Sequence, residues 1–286
     1  MRVINSNIHH NSLESETLVP NKTRLKIRLL GLLYLLLLFI TLYGSVNQYI
    51  SLGTPPNSFV FEWEKHIPFI EEFIIPYIAL YPMVLLTFLL PQSNLELRVL
   101  LLRSFVIIFF SITMFLLFPL QFSFEKPQVE NFSWFITVVE MVDYPYNQAP
   151  SLHVSFSVLL GVTLAKRVHS WWINSLLTLW FVTIAISTLF VYQHHFIDVI
   201  TGALVGFLSC YFINSSSKVG FLKGLIKAKN LKIALLYLMG SLFAVLLCFH
   251  VSVWFVWVFF YLFVCSLGVV FGVWKVNLSS KPIPKG

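Results

Sequence analysis

The feature that most constrains this chain is a succession of long apolar runs separated by short polar segments. A helix needs about 20 apolar residues to cross the hydrocarbon of a bilayer. Eight such runs can be read, at about 29–48, 73–91, 98–118, 152–166, 171–191, 196–213, 232–250 and 253–274. In lipid every backbone N–H and C=O must be satisfied within the protein, which admits only helices and closed barrels. Runs of this length predict helices, so the fold expected is an all-α integral membrane protein with about eight transmembrane helices. Composition agrees: of 286 residues 58% are apolar and 11% charged, where soluble domains carry about 25% charged residues. The first run follows Lys22, Arg24, Lys26 and Arg28 and has no small-x-small cleavage site behind it, which makes it an uncleaved span rather than a signal peptide.

Loop charge orients the runs. Cytoplasmic loops collect Lys and Arg. Basic residues gather before the first run, between the second and third (Arg98, Arg103), between the fourth and fifth (Lys166, Arg167), after the sixth (Lys218 to Lys232) and after the eighth. These are alternate loops, as a single basic side requires. The loop at 49–72 is acidic instead, with Glu62, Glu64, Glu71 and Glu72. The 119–151 loop and the 191–195 turn then share the opposite, extracytoplasmic side. The expected organisation is a polar, disordered tail over 1–22, a six-helix membrane core over 23–213, a basic cytoplasmic loop over 214–231, a transmembrane hairpin over 232–275 and a tail over 276–286. A bacterial inner membrane suits the compact loops. The net charge of +7 is scattered rather than gathered into a patch with aromatics, which argues against nucleic acid as a partner. Cys210, Cys248 and Cys265 all lie in apolar runs and form no CxxC pair, so they read as buried thiols.

Two polar stretches interrupt the pattern on the extracytoplasmic side. "QAPSLHVSF" (148–156) opens the fourth run, and "STLFVYQHHFIDVITG" (187–202) leads into the sixth. His194 and Asp198 stand four residues apart and share a face if helical. The carboxylate can then fix the imidazole tautomer and leave the other nitrogen as a nucleophile. His153, at the same membrane depth, can protonate a leaving oxygen. Ser151 and the amides of the first turn after Pro150 form an anion site, and Lys126 in the same outer loop supplies positive charge for phosphate.

Together these residues resemble the type 2 phosphatidic acid phosphatase superfamily, whose motifs are Lys-x6-Arg-Pro, Pro-Ser-Gly-His and Ser-Arg-x5-His-x3-Asp. Pro150-Ser151-Leu152-His153 corresponds to the second with Leu for Gly, and Ser187-Thr188-x5-His194-x3-Asp198 to the third with Thr for Arg. The first motif is partial, with Lys126-Pro127 where Arg-Pro would stand and Pro119 where its Lys would. The resemblance spans roughly residues 60–212. It implies a six-helix phosphatase-type core followed by a C-terminal helical pair. It also implies a phosphohistidine at His194 oriented by Asp198, and protonation of the departing group by His153. Phosphate would be held by Ser151 and Lys126, with Ser187 and Thr188 in support, and no metal or other cofactor is needed. The substrate implied is a lipid phosphate ester, hydrolysed or transferred to a lipid hydroxyl acceptor. Leu152 and Thr188 make the chain similar to the branch holding inositol phosphorylceramide synthases. Two basic phosphate ligands are missing or replaced, and a phosphodiester needs fewer of them than a phosphomonoester.

The same residues admit other readings. The histidines could be structural helix-end residues, although ionisable groups near membrane helices are costly and usually functional. His153, His194, His195 and Asp198 have ligand chemistry suited to zinc, but adjacent histidines point about 100° apart on a helix. A transporter would place charges near the bilayer midplane, and spans two, three and seven have none there. A non-catalytic scaffold of the same fold would find support only in the missing basic ligands.

Overall fold

Every one of the eight apolar runs lies on a helix in the computed structural model, which describes residues 21–53, 56–129, 131–142, 146–213, 228–251 and 255–271. The helices are α1 (Asn21–Ser51), α2 (Ile74–Leu89), α3 (Asn94–Leu117), α4 (Ser133–Val142), α5 (Leu152–Ala165), α6 (Trp171–Phe190), α7 (Phe196–Phe212), α8 (Ala228–His250) and α9 (Phe255–Val270). Among the described residues there is no β-strand, only the isolated bridges Asn57–Leu120 and Leu120–Asn147. Among the described residues five segments are long and apolar enough to cross a membrane, namely Leu25–Ser51, Glu71–Leu89, Asn94–Leu117, Trp171–Phe190 and Ala228–His250, and α5, α7 and most of α9 are shorter apolar helices. The protein is an all-α, multi-pass membrane protein. The polar tails expected over 1–22 and 276–286 and the basic loop over 214–231 fall wholly or largely outside the described residues.

One element departs from expectation. The 119–151 segment reads as a loop in the sequence, yet it contains α4, whose Ile136 and Val139 pack with Ile74 and Tyr77 of α2 and with Val191 after α6. Ten residues are too few to span a bilayer, and the helix lies against the end of the bundle that carries the two polar stretches.

α5 sits in the centre and packs on α2, α3, α6 and α7. With 14 residues it is about 21 Å long at 1.5 Å per residue, against about 30 Å of hydrocarbon. Its N-terminus therefore stops short of one interface. The contact with α7 is backbone to backbone. A Cβ at Gly202 would lie 2.5 Å from the Ser151 carbonyl oxygen, and one at Gly206 2.8 Å from that of Ser155. Gly202 and Gly206 form the small-xxx-small pattern by which membrane helices approach closely. Ser155 Oγ sits in the seam and donates to the carbonyls of Ser151 (2.9 Å) and Gly202 (2.8 Å). The Ser151 N–H donates to the Asp198 carbonyl at 3.0 Å. This register sets the first turns of α5 and α7 side by side.

At the opposite end, three arginines close helix C-termini. Arg28 donates to the Leu89 carbonyl of α2 (2.6 Å), Arg103 to Ile213 and Cys210 at the end of α7 (2.9 and 3.2 Å), and Arg98 to Phe271 after α9 (2.6 Å). Carbonyls at a helix C-terminus lack intrahelical donors and carry partial negative charge, so each guanidinium both satisfies them and complements the dipole. α8 and α9 pack on each other and reach the core through α1. There Ser266 Oγ bonds the Ala234 carbonyl (2.8 Å) and the Tyr34 hydroxyl (3.2 Å).

Candidate active site

The turn between α6 and α7 presents His194. Its backbone is drawn in by the Thr188 carbonyl, which accepts from the N–H groups of Gln193 (3.0 Å) and His194 (3.1 Å). Tyr192 has φ 54°, a left-handed conformation that costs a non-glycine residue about 1–2 kcal/mol. It is held there by its own hydroxyl, which donates to the Ile67 carbonyl at 2.8 Å, and by the rings of Phe69, Phe122 and Phe124. The turn is thus fixed by long-range contacts that override local preference.

Asp198 is the third residue of α7 and is almost fully buried. Its Oδ2 accepts from the His195 N–H at 2.8 Å and lies 3.5 Å from His194 Nδ1. The first contact is the return half of a capping box, in which the third helical residue accepts from the N-cap N–H and its negative charge meets the positive end of the dipole. The second is an ion-pair distance, too long for a hydrogen bond. Among the described residues His194 Nδ1 has no hydrogen-bond partner. Such contacts commonly tighten only when substrate arrives. His153, the second residue of α5, stacks on Tyr77 at 4.1 Å and 11°, with Tyr81 edge-on at 6.1 Å. Its Nε2 is buried and finds no hydrogen-bond partner among the described residues.

Both histidines line one cavity of about 220 Å³. Its apolar walls come from Leu36, Phe39 and Tyr43 of α1, Leu80 and Tyr81 of α2, Ile108 of α3, and Leu152 and Phe156 of α5. Its polar lining consists of Asn147, His153 and His194, and no Lys or Arg among the described residues lines it. Leu36 and Tyr81 are about half exposed, so the apolar side faces the bundle's lipid-facing surface between α1 and α2.

The other residues singled out in the sequence are distributed as follows. Ser151 is the fully buried N-cap of α5, its Oγ accepting from the Val154 N–H at 3.3 Å. Ser187 and Thr188 donate their hydroxyl protons to α6's own carbonyls, at Ile184 (2.6 Å) and Ala185 (2.7 Å). Thr188 acts on His194 through its backbone. Lys126 is half-buried in the loop beyond Ser123 and is not among the cavity-lining residues. Asp143 and Tyr144 lie outside the described residues. Among the described residues no group of three or more His, Cys, Asp and Glu side chains has an arrangement that could hold a metal ion.

Three further residues take their place at the site from the structure. Glu64, in a short 3-10 turn after α1, is almost fully buried. It accepts from the N–H groups of Phe61 (2.9 Å, Oε1) and Phe196 (2.8 Å, Oε2). His195 is equally buried, with Nδ1 3.3 Å from Glu64 Oε2 and Nε2 facing the Ser123 N–H (3.3 Å) and Oγ (3.1 Å). An amide N–H can only donate, so Nε2 is the acceptor and the ring proton sits on Nδ1, aimed at Glu64. Phe122 stacks on this ring at 4.4 Å. Burial holds the His195 imidazole below the usual histidine range, against the upward pull of Asp198 and Glu64. The third residue is Asn147, buried in the polar lining of the cavity. Glu64 has no sequence signal that separates it from Glu62, which is exposed and paired with Lys65. Asn147 has one only in its closeness to Pro150-Ser151.

No curated protein and no solved structure matches this chain. The stretch that carries His153, His194 and Asp198, from the Phe122 loop past the end of α7, does have a family correspondence: residues 121–219 match the PAP2 superfamily.

Proposed function

We propose that the protein is a membrane lipid phosphoesterase that works through a phosphohistidine at His194. The observation that carries this reading is the cavity itself. It joins His194 and His153 to apolar walls from four helices, as a lipid phosphate ester requires. Asp198, 3.5 Å from His194 Nδ1, orients the ring so that Nε2 attacks phosphorus. The Nε2–P bond forms as the P–O ester bond breaks, and His153 gives its proton to the departing oxygen. In the second half, His153 takes a proton from an incoming hydroxyl, the new P–O bond forms and the N–P bond breaks. Water as acceptor gives hydrolysis. Ser151 and the first-turn amides of α5 steady the phosphoryl oxygens, with Lys126 approaching from the outer loop and Ser187 and Thr188 supporting the turn. No step requires a metal.

Transfer to a lipid hydroxyl is a second reading, and one observation favours it: among the described residues no basic side chain lines the cavity. Each charge-assisted contact to phosphate contributes about 1.5–3 kcal/mol. A site with Lys126 as its cation, approaching from outside the cavity lining, disfavours dianionic monoesters and suits phosphodiesters, as the resemblance to the inositol phosphorylceramide synthase branch implies. The site end is assigned to the extracytoplasmic face, in keeping with a bacterial inner membrane. The arginine-capped end, with Lys166 and Arg167, is the cytoplasmic one.

The test is turnover by purified protein in mixed micelles with labelled phosphatidic acid, an isoprenyl diphosphate and phosphatidylinositol, each with and without a hydroxyl lipid, beside His194→Ala. Free phosphate released by wild type alone establishes a phosphatase. A labelled new lipid that needs the acceptor establishes a phosphotransferase. Equal silence of both proteins on every substrate removes the enzymatic reading.

A further inference from the structure

Asn147 is 3% exposed, and among the described residues neither its Nδ2 nor its Oδ1 has a hydrogen-bond partner. An unsatisfied buried amide is destabilising, and folded proteins leave few of them. Its surroundings give this amide a specific setting. The backbone of Asn147 is anchored through its bridge to Leu120, and Leu120 in turn bridges Asn57. The side chain lines the cavity beside His153 and His194, and His153 Nε2 is likewise unpartnered among the described residues. Two buried polar groups without partners among the described residues thus line, with His194, a chamber whose other walls are apolar.

We infer that Asn147 is a substrate-binding residue that selects lipid phosphodiesters. Its Nδ2 donates to a non-bridging phosphoryl oxygen while Oδ1 accepts from a hydroxyl of the headgroup or the acceptor. This rests on the phosphohistidine reading and narrows it. A neutral amide offers a donor without a full positive charge, so it matches a monoanionic diester better than a dianionic monoester. It also offers an acceptor, which a basic side chain cannot. Burying an amide that the described residues leave without a partner costs stability, a cost that an active site can carry for function.

The experiment compares wild type, Asn147→Leu, Asn147→Asp and His194→Ala in detergent micelles. It measures thermal unfolding with and without short-chain phosphatidylinositol or short-chain phosphatidic acid, and turnover of both lipids. Asn147→Leu removes the unsatisfied amide without opening a cavity, so its melting temperature without lipid is expected to equal or exceed that of wild type. Its affinity for phosphatidylinositol should fall by about 10- to 100-fold, as a rise in KM larger than the fall in kcat. Asn147→Asp should bind more weakly still at neutral pH, and recover part of its affinity in acid as the carboxyl takes a proton. Wild type should prefer phosphatidylinositol to phosphatidic acid, and both variants should lose that preference. If Asn147→Leu binds and turns over like wild type while His194→Ala is dead, the inference falls and the phosphohistidine reading stands. A variant that is less stable but unchanged in KM makes Asn147 a structural residue and also overturns it. If wild type shows neither lipid-dependent stabilisation nor His194-dependent turnover, both readings fall together.

Discussion

Glu64 Oε2 lies 2.8 Å from the amide nitrogen of Phe196, 132 positions further along the chain. A carboxylate from the loop after α1 thereby caps the helix that carries Asp198, one residue beyond His195. Asp198 caps the same terminus from within, through the His195 N–H. Two carboxylates at one helix N-terminus repel each other but share the dipole's positive end and its unpaired N–H groups. Together they fix the entry of α7, and with it the direction from which His194 faces the cavity.

Replacing Glu64 with Gln keeps its shape and tests this. The amide –NH₂ would meet the N–H of either Phe61 or Phe196, donor against donor. The expected result is a loss of about 1–3 kcal/mol of stability, read as a lower melting temperature. Turnover should fall by up to about 100-fold through displacement of His194, mostly in kcat. Glu62→Gln, on the exposed neighbour paired with Lys65, should change neither measurement.

The α5–α7 seam predicts a sharp contrast between two glycines. A methyl group at Gly202 would meet the Ser151 carbonyl oxygen at 2.5 Å, and backbone cannot turn aside as a side chain can. Gly202→Ala should force the helices apart, separate His153 from His194 and abolish turnover, with a stability loss of about 1–3 kcal/mol. Gly44 in α1 has nothing within 4 Å of its added Cβ. Gly44→Ala should leave turnover intact and change stability by no more than about 1 kcal/mol in the favourable direction. Melting curves and phosphate release on the two purified variants check both.

His195 predicts how stability depends on pH. Its folded-state value is held down by burial, so the folded protein resists a proton that the unfolded chain accepts near pH 6.5. Between that point and the lower folded value the unfolded state binds more protons, and stability rises with pH. Stability from this group is therefore full above about pH 6.5 and lost as the pH falls below it. Protonation would also set Nε2–H against the Ser123 N–H. His195→Phe fills the aromatic slot beside Phe122 without titrating. It should melt lower than wild type at neutral pH, with the difference shrinking in acid. Thermal unfolding of both proteins across that range is the check.

How much of this was legible in the sequence depends on the range of the interactions. The eight helices were legible because hydropathy in a bilayer is local and obligatory. The motif spacing that resembles a known family lies within roughly residues 60–212, and the family correspondence at 121–219 overlaps it. The α4 helix was not legible, because ten residues in a polar loop do not stand out from an interfacial segment. Glu64 was not, because its burial depends on a helix 132 positions away. Gly202 and Gly206 show the spacing of close helix contact, but their partner is backbone of α5, about 50 positions away in the chain. Arg28, Arg98 and Arg103 stand out in the sequence as charges beside or within apolar runs. Their role in closing the carbonyl ends of α2, α9 and α7 required three-dimensional adjacency.

The roles proposed for the two histidines separate by leaving group. If His153 protonates the departing oxygen, its loss should matter most where the leaving group is a poor one, such as an alkoxide. His153→Ala should lower kcat for an alkyl phosphodiester by about 10²–10⁴-fold. A nitrophenyl phosphodiester leaves as a stabilised phenolate that needs no proton, and its first step should slow by no more than about 10-fold. A labelled phosphoenzyme should then accumulate, since His153 is also needed to activate the acceptor in the second step. Its label should be acid-labile and base-stable, as expected of a phosphoramidate. His194→Ala should be inactive on both substrates and form no phosphoenzyme, because no leaving group compensates for a missing nucleophile. Rapid quench with labelled substrate, followed by acid and base treatment of the protein, distinguishes these outcomes. Equal slowing of both substrates by His153→Ala would remove it as the proton donor. Its stack on Tyr77 at 4.1 Å would then be its main contribution, as a packing residue at the start of α5.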